Sequence, residues 1–167
     1  MWYRDTGNGC DIFYADTADF CSFTEPRLAV KGHAEGPNVF ALGGWYWLIT
    51  DPLGRRQGLA VYRSSDLTSW TQMDNILDKD GVRPFDNSKG RHADVAVQGQ
   101  NGYIFYFTQP YKDYSQPPSY TAVQDSAAVC VVQCAHLTVL DGCLCCDRNE
   151  DFELQLGALI NSPLHGG

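Results

Sequence analysis

The chain has 167 residues with 12 Lys and Arg against 20 Asp and Glu, a formal charge of −8 and a sequence pI near 4.7; this excludes a nucleic acid or an anionic membrane as a partner held by basic patches. A hydrophobic fraction of 44% with 19% charged residues is that of a folded chain, not a disordered one. The length fits one domain, residues 1–167, that buries about two-thirds of its unfolded surface, and the longest apolar runs are too short for a helical bilayer span.

Met1-Trp2-Tyr3-Arg4-Asp5 opens on aromatic and charged residues where a secretory leader would place a basic tip and an apolar stretch, so the chain reads as starting inside a strand. Short runs of aromatic and β-branched residues follow, broken every ten residues or so by Gly, Asp, Asn or Pro: Ile12–Ala15, Trp45–Thr50, Leu59–Tyr62, Val95–Val97 and Tyr103–Thr108. None of them keeps a helical period, and the fold class is all-β with slight helix content. Leu137–Leu140, then Asp141-Gly142, then Cys143–Cys146 reads as two strands joined by a tight hairpin. Two long loops are expected, a Pro, Ser and Tyr-rich one at 111–125 and a charged one from Asn75 to Arg91, and loops of that length often carry binding contacts.

Asp19-Phe20-Cys21-Ser22-Phe23-Thr24 repeats as Asp66-Leu67-Thr68-Ser69-Trp70-Thr71 at a spacing of 47 residues. Arg4-Asp5, Thr50-Asp51-Pro52 and Thr108-Gln109-Pro110 echo one another at the ends of strands. A repeat of about 40–50 residues is that of a four-stranded propeller blade, more so than of a β-sandwich. The expected architecture is a partial propeller of antiparallel blades, with units near 1–32, 33–87 and 88–156. Three units are fewer than the four to eight that close a propeller.

A polar residue just ahead of an innermost strand can line a shared central pocket. Glu35 before Gly36-Pro37-Asn38-Val39-Phe40 and His92 before Ala93-Asp94-Val95-Ala96-Val97 fill such places and align at a spacing of 57 residues. Asp94 is placed to orient the His92 ring. Asp5, Asp51 and Asp94 read as strand-end caps or turn formers, and His33 and His165 as surface residues. Trp45, Tyr46, Trp47, Trp70, Tyr103 and Tyr106 offer faces for sugar stacking, yet aromatic runs in strands mostly fill the space between sheets. Arg55, Arg56 and Arg91 stand beside glycines where they can donate to sugar hydroxyls or a carboxylated sugar, or remain solvated loop charge. Seven cysteines leave at least one thiol unpaired. A two-residue hairpin at Asp141-Gly142 sets Thr138 against Cys145 and carries Cys134 roughly 13 Å farther along, too far for one tetrahedral zinc.

His33-Ala34-Glu35-Gly36-Pro37-Asn38-Val39-Phe40 with Gly44-Trp45-Tyr46-Trp47-Leu48-Ile49-Thr50, Tyr62-Arg63-Ser64-Ser65-Asp66-Leu67-Thr68-Ser69-Trp70, and Gly90-Arg91-His92-Ala93-Asp94-Val95 with Tyr103-Ile104-Phe105-Tyr106 together resemble the family-43 glycoside hydrolases, five-bladed propeller glycosidases. The resemblance covers about residues 1–110 and implies hydrolysis of O-glycosidic bonds in a polysaccharide or oligosaccharide with arabinose, xylose or galactose units. It implies Glu35 as the general acid and His92 as the axial histidine holding water or a metal ion, with Arg91 and Trp45 facing substrate. The chemistry requires no cofactor, and an axial calcium at His92 is implied by resemblance alone. The family's base and the aspartate that modulates its acid lie on innermost strands of the two blades ahead of the Glu blade; here those strands would precede Met1, so the base is unassigned and the catalytic set is incomplete. The alternative is a non-catalytic carbohydrate-binding or scaffold module. An open propeller edge favours self-association, and members of the family are often secreted or periplasmic.

Overall fold

The computed structural model describes residues 1–53, 58–112 and 129–154. Arg55, Arg56, His165 and most of the 111–125 loop lie outside the described residues, as does the end of the 1–167 span. Among the described residues there are three antiparallel sheets and no α-helix. The first is β1 (Trp2–Asp5), β2 (Asp11–Tyr14) and β3 (Arg27–Val30), in that order. The second is β4 (Ala34–Leu42), β5 (Trp45–Pro52), β6 (Ala60–Ser64) and β7 (Thr71–Gln72). The third repeats that order with β8 (Arg91–Gln98), β9 (Asn101–Thr108), β10 (Val131–Leu140) and β11 (Cys143–Cys145). These sheets are the blades of a partial propeller.

The blades stack because their strands bury both faces. On β5, Trp47 and Ile49 face one core and Leu48 faces another, which explains why Trp45–Thr50 is an unbroken apolar run rather than an alternating one. The larger core joins the second sheet to the third through Phe40, Leu42, Trp47 and Val61 against Ile104, Tyr106, Ala135 and Leu137. The smaller joins the first sheet to the second through Ile12, Val30, Ala34 and Leu48. Trp47, Tyr103 and Tyr106 are buried, as their places in strands suggest.

The repeated strings fold into one turn used twice. Asp19 Oδ1 accepts the backbone N–H of Cys21 and Ser22 at 2.9 and 2.8 Å, and Thr17 Oγ1 accepts that of Phe20 at 2.9 Å. Asp66 Oδ1 accepts those of Thr68 and Ser69 at 2.8 Å each, and Ser64 Oγ accepts that of Leu67 at 2.9 Å. The backbone is left-handed at Phe20 (φ 57°) and at Leu67 (φ 63°). This turn follows β2 in the first sheet and β6 in the second, so β1, β2 and β3 correspond to β5, β6 and β7. The third sheet makes the same connection with Asp141-Gly142, both at positive φ, and Thr138 does face Cys145. Cys10, Cys21, Cys134, Cys143, Cys145 and Cys146 are free thiols.

The Asn75–Arg91 segment departs from its reading as a charged surface loop. Ile76, Leu77, Asp86, Ser88 and Lys89 are buried, because Leu59 and Ile76 bridge and Asp86 takes Arg148 and the Tyr106 hydroxyl as partners. Its last residues form the floor of the candidate site.

Candidate functional site

The innermost strands β4 and β8 run side by side, and each is bulged at the end that carries its polar residues. On β4 the register slips between Glu35, opposite Asp51, and Asn38, opposite Ile49. On β8 it slips between Arg91, opposite Phe107, and Asp94, opposite Phe105. The two bulges superpose Glu35 on Arg91 and Gly36 on His92, one residue out of step with the pairing of Glu35 and His92 that the sequence suggests. The backbone agrees, since Gly36 (φ 57°) and His92 (φ 39°) are the left-handed residues of their bulges. The match is gapless at a spacing of 56 residues in place of 57, and the shared bulge, with its left-handed residue, is what fixes it.

The superposed residues meet across the two strands. Glu35 Oε2 accepts from Arg4 Nη1 of β1 at 2.7 Å, and Oε1 lies 3.7 Å from Arg91 Nη2 and 3.6 Å from His92 Nε2. Behind them stands Asp51, wholly buried at the end of β5. Its Oδ2 accepts from Arg91 Nε at 3.1 Å and lies 3.5 Å from His92 Nδ1, while its Oδ1 faces Lys89 Nζ at 3.4 Å. Arg91 Nη1 also donates to Gln109 Oε1 at 3.1 Å, and its guanidinium lies over the Phe107 ring. His92 stacks on the same ring at 5.9 Å. Burial pulls the Lys89 ammonium below its usual pKa, and the Asp51 carboxylate opposes that pull.

Three of the four residues expected at the site are together: Glu35, Arg91 and His92. Trp45 is not among them. It opens β5 opposite Leu42, at the far end of the hairpin from Asp51 and Glu35, and its ring carries the Arg63 guanidinium at 4.2 Å. Asp94 does not orient His92 either, because its side chain accepts from Asn38 Nδ2 and from the Val95 N–H. Asp51 does so instead, correcting its reading as a turn former. Asp5 keeps that reading as the cap of the 3-10 turn Thr6–Asn8, and His33 is exposed. Arg4, although part of the Arg4-Asp5 echo, and Lys89 carried no site reading in the sequence, and only the packing of strand ends brings them in. The echo of Asp51 with Asp5 and Gln109 at strand ends marks the position without revealing its burial.

The chemistry follows from exposure. Glu35 retains 21% of its side-chain accessibility and Asp51 none. A carboxylate that activates water must reach water, and Asp51, enclosed by Lys89, Arg91 and His92, is placed to hold those side chains rather than to act on a substrate. Glu35, Asp51 and His92 offer donor atoms within 4.8 Å of one another, which is the spacing of a cation site. Yet three permanent or buried cations already face the two carboxylates. That donor set, pre-compensated by Arg4, Lys89 and Arg91, does not fit a divalent ion.

The chain matches no family model and no curated protein. It does match solved structures. A thermostable family-43 glycoside hydrolase superposes with a TM-score of 0.59 at 17% identity, over 88% of this chain and 50% of that one. An α-L-arabinofuranosidase from Lactobacillus brevis gives 0.57 at 19% identity, over 84% and 48%. A family-43 β-1,3-galactosidase in complex with galactodeoxynojirimycin gives 0.52 at 12%, over 91% and 46%. The chain therefore spans about half the length of the structures it matches. Its fold is that of a family-43-like glycoside hydrolase propeller, in part.

Proposed function

We propose that the protein is a glycoside hydrolase-like propeller acting on O-glycosidic bonds of a polysaccharide or oligosaccharide, with Glu35 as the general acid. The observation that carries this reading is the placement of Glu35. It is the solvent-reaching carboxylate of a cluster built at the bulged ends of two innermost strands, in a fold shared with glycosidases that act on arabinofuranosyl and galactosyl substrates. Hydrolysis needs an acid to protonate the departing sugar oxygen and a second carboxylate to activate water or attack the anomeric carbon. Among the described residues Asp51 is the carboxylate nearest to Glu35, and its enclosure leaves it a positioning role. The set is half a mechanism.

A small anion can stand in for an absent base. Sodium azide or formate added to methyl arabinosides, xylosides and galactosides, whose alkoxide leaving group needs the acid's proton, is expected to give anion-dependent methanol release by the wild-type chain and none by Glu35→Gln. Azide-independent turnover would place a base within this chain. A folded chain with no turnover under either condition would remove Glu35 from the role of acid. The second reading, a carbohydrate-binding module without hydrolysis, is favoured by the double ion pairing of Glu35 with Arg4 and Arg91, which engages both of its carboxylate oxygens. Sugar binding without turnover in azide would select it.

A further inference from the structure

We infer that the Glu35, Asp51 and His92 cluster takes no metal ion, and that the buried ammonium of Lys89, with the guanidiniums of Arg4 and Arg91, is its resident counter-charge. Lys89 is 2% exposed, and an ammonium is carried so far inside only when an anion awaits it. Its Nζ stands 3.4 Å from Asp51 Oδ1 and 3.5 Å from the carbonyl oxygen of Pro52, a carboxylate and a backbone carbonyl of the kind a hard cation would gather. The chain delivers it there through Gly90, where a Cβ would come within 2.6 Å of the Leu77 side chain, so only glycine lets the backbone settle this deep.

The charge count decides against a second cation. Among the described residues Arg4, Lys89 and Arg91 oppose Glu35 and Asp51, three basic side chains against two carboxylates. A divalent ion entering there would meet net repulsion in a region of weak screening. Both Asp51 oxygens are engaged by nitrogen donors, and calcium would have to displace them to collect its about six to eight oxygen ligands.

Thermal melting in EDTA and in millimolar calcium chloride, with calorimetric titration of calcium, tests it without any activity assay. The wild-type Tm is expected to agree within about 1 °C in the two buffers, with no binding heat. Lys89→Met should lower Tm by on the order of 10 °C by leaving Asp51 buried with one cation fewer, and adding Asp51→Asn should recover part of that loss. A role in packing alone predicts no recovery. A wild-type chain that melts several degrees higher in calcium, with the gain lost in Asp51→Asn, would overturn the inference. That arm decides even if Lys89→Met fails to fold.

Discussion

At the scale of single residues, the two repeated turns make a sharp electrostatic statement. Asp19 is fully exposed, yet the N–H groups of Ser22 and Cys21 hold its pKa down at about 2, and those of Ser69 and Thr68 lower Asp66 further. A depressed carboxylate stabilises the fold above its unfolded pKa and loses that contribution as pH falls through the folded one. The turns should therefore loosen between about pH 4 and pH 2. A carboxyl-carbon NMR titration of Asp19 is expected to show a midpoint near 2; a midpoint at the ordinary value would mean that the turn does not form in solution. Thiols differ just as plainly. Burial pushes Cys146 up to about 12, whereas Cys21 is exposed. Iodoacetamide at pH 8, read by mass spectrometry, should label Cys21 and spare Cys146 in the native state. Equal labelling of the two would contradict the packing of the half-buried Cys146 against the larger core.

At the scale of elements, the bulges on β4 and β8 are what turn two strands into a site. Gly36 allows the β4 bulge by its left-handed backbone and by leaving room for His92, whose Cδ2 a Cβ would approach to 2.7 Å. Gly36→Ala should cost about 1–3 kcal/mol in urea unfolding and displace the His92 ring resonances. A silent substitution would show that the bulge is not as described. This is also where the sequence stops being legible. Strand identities, the Asp141-Gly142 hairpin and the repeated turn are local patterns of residue type, and the alternation of strands exposes them. Glu35 and His92 were visible as polar residues ahead of apolar runs. Their relative register was not, because spacings of 56 and 57 both set a polar residue ahead of an apolar run, and Asp51 looked like any strand-end aspartate until the cations from β8 and from the segment before it closed over it. Trp45 carried the right chemistry for sugar stacking, and only strand direction shows that it lies at the wrong end of β5.

At the scale of the whole molecule, three sheets in succession are held by two apolar cores and by one buried polar clasp. Arg148 is 5% exposed and pairs with the wholly buried Asp86, which also receives the Tyr106 hydroxyl, while its Nη1 donates to the Lys79 carbonyl at 2.6 Å. The clasp ties the segment after β11 to the loop before β8 and to β9. Burial first, and then Asp86, pushes the Tyr106 hydroxyl up to about 12 with Arg148 opposing. Removing one partner strands a buried charge, so Arg148→Met should lose about 3–5 kcal/mol in urea unfolding. A loss below about 1 kcal/mol, the range of exposed pairs, would mean that the clasp is solvated.

The most direct test of the account is where a sugar touches the protein. Backbone amide shifts recorded during titration with arabino-, xylo- and galacto-oligosaccharides are expected to move at Glu35, Asp51, His92 and Arg4 for at least one of the three series, and to stay still at Trp45. Shifts that avoid the Glu35 cluster, or none at all from a folded chain, would contradict the assignment of this site to glycans.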